Sequence, residues 1–318
     1  MNYLERLRTI FKQPDLYQAH RDAAPVLVEA SKDQEFLHWV LKKNLSDPAY
    51  LNKTRHYPTI SFPIEENETF TMVANTFLPL PNGDTEQSFQ SIHHHGKLLL
   101  STVSAFGPGY ESMIFKGGYS VDETSGLTNM QLERLYQNQS NNIEFVDAFV
   151  PHVVFYPTTA SMTFALWSSG RHEALSKVKK LGALQKVKKP LKAILQATGL
   201  ASAAGINKID FNDFYPADGQ IYGMRNRIGY PEGSNENWLQ NVFSLVQQMG
   251  LTDADFLNQL KADCVARNQP APIPWIDKVL EGTPIDLKFE PSHLNIDKVN
   301  LHKQDILAVY QGSETANS

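Results

Sequence analysis

The sequence predicts an α+β fold, with a central antiparallel β layer, a helical layer ahead of it and a mainly helical part after it. Three observations predict this. Residues 1–52 place apolar side chains at helical spacing. Residues 53–168 switch to short runs of β-branched and aromatic residues punctuated by glycine and proline, which argues a sandwich or a small barrel. Residues 169–318 return to helical periodicity.

Composition bounds the function classes. The 318 residues are 42% hydrophobic and 10% aromatic, enough for a full core. A net charge of −5 gives no reason to expect nucleic acid as a partner. Cys264 is the one cysteine, so an internal disulfide is excluded and a reducing compartment fits. Residues 1–8 carry charge throughout, unlike the apolar run of a signal peptide. No stretch approaches a membrane span in length. The expectation is a soluble cytoplasmic protein without a transmembrane segment.

In the first region, Leu4, Leu7, Ile10 and Phe11 define one helix. A second is expected to start near Ala24-Pro25, with proline tolerated in its first turn. A third runs from Ser31 to about Asn44, with Phe36, Trp39, Val40 and Leu41 inward. These helices are read as a layer packed on the domain that follows.

Strands of the second region are expected over 59–62, 70–78, 89–100, 102–106, 113–116, 143–149, 152–156 and 161–167. Pro81-Asn82-Gly83-Asp84, Gly107-Pro108-Gly109 and Gly117-Gly118 supply turns. Residues 129–141 break the pattern and read as a polar helical turn or an excursion at a barrel mouth.

The third region opens on Lys177, Lys179, Lys180, Lys186, Lys188, Lys189 and Lys192, with Leu175, Val178, Leu181, Leu184 and Val187 at helical spacing. A solvated basic face is the plain reading; an acidic partner docking at Lys177–Lys192, or an anionic lipid surface, is the sharper one. Residues 211–220 read as a loop. Arg225 and Arg227, two apart, suit bidentate recognition of a carboxylate or a structural ion-pair network. A helix follows over 237–249, and another starts where Thr252-Asp253-Ala254-Asp255 forms a capping box. Cys264 lies on that helix and reads as a buried, inert thiol. Residues 312–318 read as a disordered tail. There is no phosphate-cradling glycine loop and no Gly-x-Ser-x-Gly elbow.

The chemistry concentrates at Ser91-Ile92-His93-His94-His95-Gly96. In a strand, side chains two apart share a face, so His93 and His95 point one way and His94 the other. Two imidazoles side by side can chelate a metal. The third ligand expected is His152, in the strand-like run 149–156. The plain alternative is a solvated turn, or one packed histidine beside two exposed ones.

Residues 85–168 resemble the cupin fold, an antiparallel β-barrel also called a double-stranded β-helix. Within it they resemble the thiol dioxygenases, such as cysteine dioxygenase. The resemblance rests on Ile92-His93-His94-His95, on a third histidine 57 positions later at His152, and on the closing run Ser161–Ser168. It implies Fe(II) held by His93, His95 and His152. Residues 97–101 supply no glutamate after the histidine pair, which implies three histidines without a carboxylate. Ala165 and Trp167 stand where the thiol dioxygenases carry a supporting His and Tyr, so their substrate does not carry over.

Three neutral imidazoles leave a divalent metal its full charge and about three open positions, which favours an anionic chelating substrate together with O₂. The expectation is an Fe(II)-dependent oxygenase or dioxygenase acting on a small anionic organic molecule. The alternatives are a non-redox enzyme (isomerase, lyase or hydrolase) using Zn, Mn or Ni, and a non-enzymatic binding module. Tyr110, Glu111 and Tyr156 are the candidate catalytic groups near the ligand strands. Arg55, Arg225 and Arg227 are candidates for gripping a substrate carboxylate. The sequence does not set the oligomeric state, although paired edge strands allow a homodimer.

Overall fold

The computed structural model describes residues 2–54, 59–81, 83–168, 211–224, 233–288 and 300–314. Four helices come first: α1 (Tyr3–Ile10), α2 (Leu16–Ser31), α3 (Gln34–Leu45) and α4 (Pro48–Leu51). Asp15, Asp33 and Asp47 cap α2, α3 and α4 by accepting backbone N–H bonds that have no partner inside the helix. The cap explains why α2 starts at Leu16 and not near Ala24. Pro25 therefore sits inside the helix, where the missing N–H leaves the carbonyl of exposed Arg21 without its usual donor.

The strands are β1 (Thr59–Glu66), β2 (Phe70–Phe77), β3 (Gln87–Ser88), β4 (Ile92–His93), β5 (Leu99–Phe106), β6 (Glu111–Phe115) and β7 (Leu127–Thr128). They continue with β8 (Leu132–Gln137), β9 (Glu144–Val146), β10 (His152–Phe155), β11 (Ser161–Ser168), β12 (Asp213–Ala217), β13 (Gln220–Met224) and β14 (Leu301–His302). One sheet has the order β1-β2-β11-β5-β9, and the second β7-β13-β12-β4-β10-β6-β8; β14 pairs with β3 alone. Every pairing is antiparallel. The two sheets curl around one cavity, so the chain has an α+β, cupin-like antiparallel β-barrel with helices ahead of it and after it.

The period of two sorts each sheet into two faces. On the first sheet, Ile60, Phe62, Ile64, Met72, Ala74, Val103, Met162, Phe164 and Leu166 turn outward into the main core. Helices α1 to α4 pack there, joined by α5 (Asn235–Gln248), α6 (Ala254–Ala266) and α7 (Ile273–Glu281). On the second sheet, Ile92, Met113, Phe115, Val153, Phe155, Phe214 and Ile221 turn outward against Ile306 of the last helix, α8 (Lys303–Glu314). Both outer faces are covered by helix, which leaves the inner faces free to be polar.

Four local readings are corrected. The stretch 89–100 is not one strand: pairing stops at His93, and the chain turns through Gly96 (φ 63°) before β5 begins. Residues 132–137 form β8, an edge strand paired with β6, because Leu132 packs into the second sheet's core while its neighbours face water. Residues 213–224 are a β-hairpin and not a loop. Its turn, Asp218-Gly219, has φ of 50° and 70°, the left-handed pair that joins two strands tightly. The cap of α6 is Asp253, which accepts from Phe256 N–H, and not Thr252. The basic segment Lys177–Lys192 lies outside the described residues, and α8 runs as far as Glu314 into the expected tail. Among the described residues no helix is long and apolar enough to cross a membrane.

Candidate metal centre

Strand β4 runs between β10 and β12. His93 is opposite His152 on one side and Asp213 on the other. Opposed residues in an antiparallel pair share a face, so all three side chains turn to the same side. His95 lies two residues beyond the end of β4, just before the turn at Gly96, and its ring meets the other two. The ring centroids are 4.7 Å apart for His93 and His152, 4.9 Å for His95 and His152, and 5.2 Å for His93 and His95. One nitrogen from each ring lies within 4.8 Å of the other two.

The backbone fixes two of the three tautomers. His93 Nδ1 donates to the Ser91 carbonyl at 2.9 Å, and His152 Nδ1 donates to the Val150 carbonyl at 3.2 Å. A carbonyl carries no proton, so in each neutral ring the lone pair is left on Nε2. This is the arrangement that orients a ligand histidine. Burial, and the neighbouring His93 and His95, hold the His152 imidazolium well below the usual histidine range. A neutral ring is the ligating form.

His94 has a different task. Its ring hydrogen-bonds the Phe211 carbonyl through Nε2 at 3.0 Å and accepts the Gly96 N–H at Nδ1 at 2.9 Å. Its backbone N–H donates to the Asn212 carbonyl. It therefore locks the turn that positions His95 and ties it to the start of β12. Phe149, held at φ 60°, donates its N–H to the Gly96 carbonyl at 2.7 Å and so joins this turn to the approach of β10. A bulky residue in the left-handed region is strained, and such strain concentrates at sites whose geometry is fixed by their surroundings.

The histidines open into a cavity of about 600 Å³, within the range of small-molecule sites. Trp167 stands 5.8 Å from the His95 ring, and Leu100, Ile114 and Val146 pack around it. Farther along, Ser61, Asn75, Thr102, Ser112, Tyr110, Tyr136, Glu144 and Thr163 line the wall. Burial raises the Glu144 carboxyl, opposed by its ion pair with Arg134. Burial pushes the Tyr110 hydroxyl up to about 12, with the Thr102 and Thr163 hydroxyls pulling the other way.

The residues expected at this site fall in several places. His93, His95 and His152 come together, and Tyr110 is on the cavity wall. Glu111 pairs instead with Lys303 at 2.5 Å. Tyr156 packs with Leu80 and Phe89 in a separate apolar cluster. Arg55, Arg225 and Arg227 lie outside the described residues. Two acids on the cavity wall, Asp213 and Glu144, were missed. Asp213 accepts from Ser91 Oγ at 2.6 Å. The signals for both were present: Asp-Gly between two aromatic-rich runs marks the hairpin that carries Asp213, and Glu144 alternates in phase with Val146.

No protein-family model matches this chain, and no curated protein matches it either. Solved structures do. One is TT1209 from Thermus thermophilus, at 17% identity over 36% of this chain and 89% of that one, with a TM-score of 0.23. Another is an RmlC-like cupin protein from Desulfovibrio desulfuricans, at 15% identity over 35% and 82%, with a TM-score of 0.23. A third is a putative mannose-6-phosphate isomerase from Ralstonia eutropha, at 10% identity over 35% and 84%, with a TM-score of 0.22.

Proposed function

We propose that this chain is a metal-dependent, cupin-type oxygenase that uses Fe(II) at His93, His95 and His152 to oxidise a small organic substrate with O₂. The observation that carries this is the convergence of three imidazoles at one end of a cavity of small-molecule size. The donor set fits the metal: imidazole suits Fe as well as Zn, Ni or Cu, and three neutral donors leave the ion's charge for a chelating, anionic group of the substrate. Fe(II), when bound, supplies the one-electron chemistry that O₂ needs.

The rest of the work falls to the chain. The Ser91 and Val150 carbonyls keep His93 and His152 in their ligating tautomers. Trp167, Leu100, Val146 and Ile114 line one side of the site with apolar side chains, which limits water there and strengthens the charge interactions inside. Asp213, beside His93, is placed to hold a proton released when a substrate hydroxyl ionises on binding.

A second reading is a non-redox isomerase, lyase or hydrolase on Zn, Mn or Ni. The observation in its favour is the supply of acid–base groups on the same wall, Asp213, Glu144 and Tyr110. Elemental analysis of protein made without a histidine tag, followed by O₂ uptake after anaerobic loading with Fe(II), separates the two. Iron with substrate-dependent O₂ uptake supports the oxygenase. Stoichiometric zinc with no O₂ uptake, whatever the substrate, supports the second reading.

A further inference from the structure

The cavity wall changes character with distance from the histidines. Trp167, Leu100 and Val146 form one cross-strand row of the first sheet, next to His95. Two residues further along the same strands, Ala165, Thr102 and Glu144 form the next row. Two residues beyond that, Thr163, Asn75 and Ser61 form a third. Each step is about 7 Å. The second sheet repeats the change: Ile114 is opposite His152, and the next inward residue, Ser112, is opposite Tyr136. So apolar side chains flank the histidines on the side of the first sheet and at Ile114, with Asp213 beside His93, and a layer of hydroxyl, amide and carboxyl groups follows along the wall.

Glu144 is the charged member of this layer, and it is buried. Arg134 reaches Glu144 Oε1 from the solvent side, while also holding Glu133. The ion pair is made through Oε1, and Glu144 Oε2 lies outside it. A carboxylate only accepts, so this oxygen asks for a donor. Thr102 Oγ1 accepts from Asn138 Nδ2 at 3.3 Å and keeps its own O–H to donate, while Thr163 gives its O–H to Asn138 Oδ1 at 3.4 Å and keeps a lone pair to accept.

We propose that this polar layer is the recognition subsite for the end of the substrate remote from the metal, and that it takes an uncharged hydrogen-bond donor, a hydroxyl or amide N–H, rather than a carboxylate or phosphate. The inference rests on the metal-site reading for the other end of the substrate, where an anionic chelating group is expected. Arg134 already balances Glu144, so an ammonium gains little over a neutral donor. An anionic end, in contrast, meets a buried carboxylate oxygen in a low-dielectric space.

The test uses three probes that share a chelating head and differ at one remote group: 4-(hydroxymethyl)catechol, 4-methylcatechol and 3,4-dihydroxybenzoate. Their affinities are measured by titration calorimetry on the full chain, metal-free and zinc-loaded. The hydroxymethyl compound is expected to bind about 10-fold tighter than the carboxylate, the size of one charge-assisted hydrogen bond. Glu144→Gln should narrow that ratio to under about 3-fold, since the amide no longer repels the carboxylate. Thr102→Val is the second variant, should Glu144→Gln fail to fold with Arg134 unpaired. It should weaken the hydroxymethyl compound by about 5-fold and leave the methyl compound unmoved. Equal or tighter binding of the carboxylate, a ratio that neither variant changes, or no binding by any probe overturns the proposal. Failure of the metal reading has a different signature: zinc tightens none of the three, while their rank order is kept.

Discussion

His20 gives the sharpest prediction about stability. It projects from α2 into the first sheet, where its two ring nitrogens meet Ser101 Oγ at 2.7 Å and Ser168 Oγ at 2.8 Å. The residue is 2% exposed, and burial pushes its imidazolium down to about 4. Both hydroxyls can turn to accept from a charged ring, so protonation costs desolvation and not hydrogen bonds. The sign follows from the direction of the shift. The unfolded chain takes up the proton near 6.5 and the folded chain only near 4, so stability is full above pH 6.5 and is lost as pH falls toward 4. Between about pH 7 and about pH 4.5 the linkage amounts to about 2.5 kcal/mol. Urea unfolding followed by tryptophan fluorescence, at both pH values, measures it for the wild type and for His20→Gln. The variant should be less stable at pH 7 but should lose about 2.5 kcal/mol less on acidification. If both proteins lose stability in parallel, the imidazole is not held neutral by burial and the reasoning fails.

Three further perturbations probe the fold and the site. Gly109 lies at φ 81°, and a Cβ there would come within 1.7 Å of the Asn138 carbonyl oxygen; Gly109→Ala should cost about 3 kcal/mol or more in denaturant unfolding. Asp253→Ala should cost about 1 kcal/mol and Thr252→Ala much less, since Asp253 holds the cap of α6; equal losses would point back to Thr252. Glu111→Gln should leave bound metal unchanged and alter stability by less than about 1 kcal/mol, because Glu111 meets Lys303 outside the cavity; a fall in metal content would return Glu111 to the site.

The parts of the fold legible in the sequence are those written in periodicity. Helical spacing located the N-terminal helices, and alternation located the first sheet's β1, β2, β5 and β11 with β6 and β10 of the second, because a buried face repeats there at a fixed interval; β8, β12 and β13, partly exposed, were not legible that way. The histidine pair was legible for a reason only half correct. The sequence reading takes His93 and His95 as neighbours on one strand, whereas β4 ends at His93 and His95 sits just past it, before the left-handed Gly96. Spacing alone cannot tell these apart, since both place residues two apart on one side. Asp213 was passed over because residues 211–220 read as a loop, although Asp218-Gly219 between two aromatic-rich runs marks a hairpin. Pro216 is tolerated because β12 pairs with β4 only at Asp213 and Phe214, leaving the strand's far half open on that side. Tyr156 was misplaced by extrapolating the phase of β10 from His152 past Phe155, where that strand ends.

The central claim is that the three imidazoles hold one ion. Metal content, measured by mass spectrometry on untagged protein loaded anaerobically with Fe(II), tests it most directly. The account predicts about one ion per chain in the wild type, lost in His93→Ala, His95→Ala and His152→Ala while circular dichroism stays native. A wild type that holds no metal, or folded single variants that keep the ion, would contradict it.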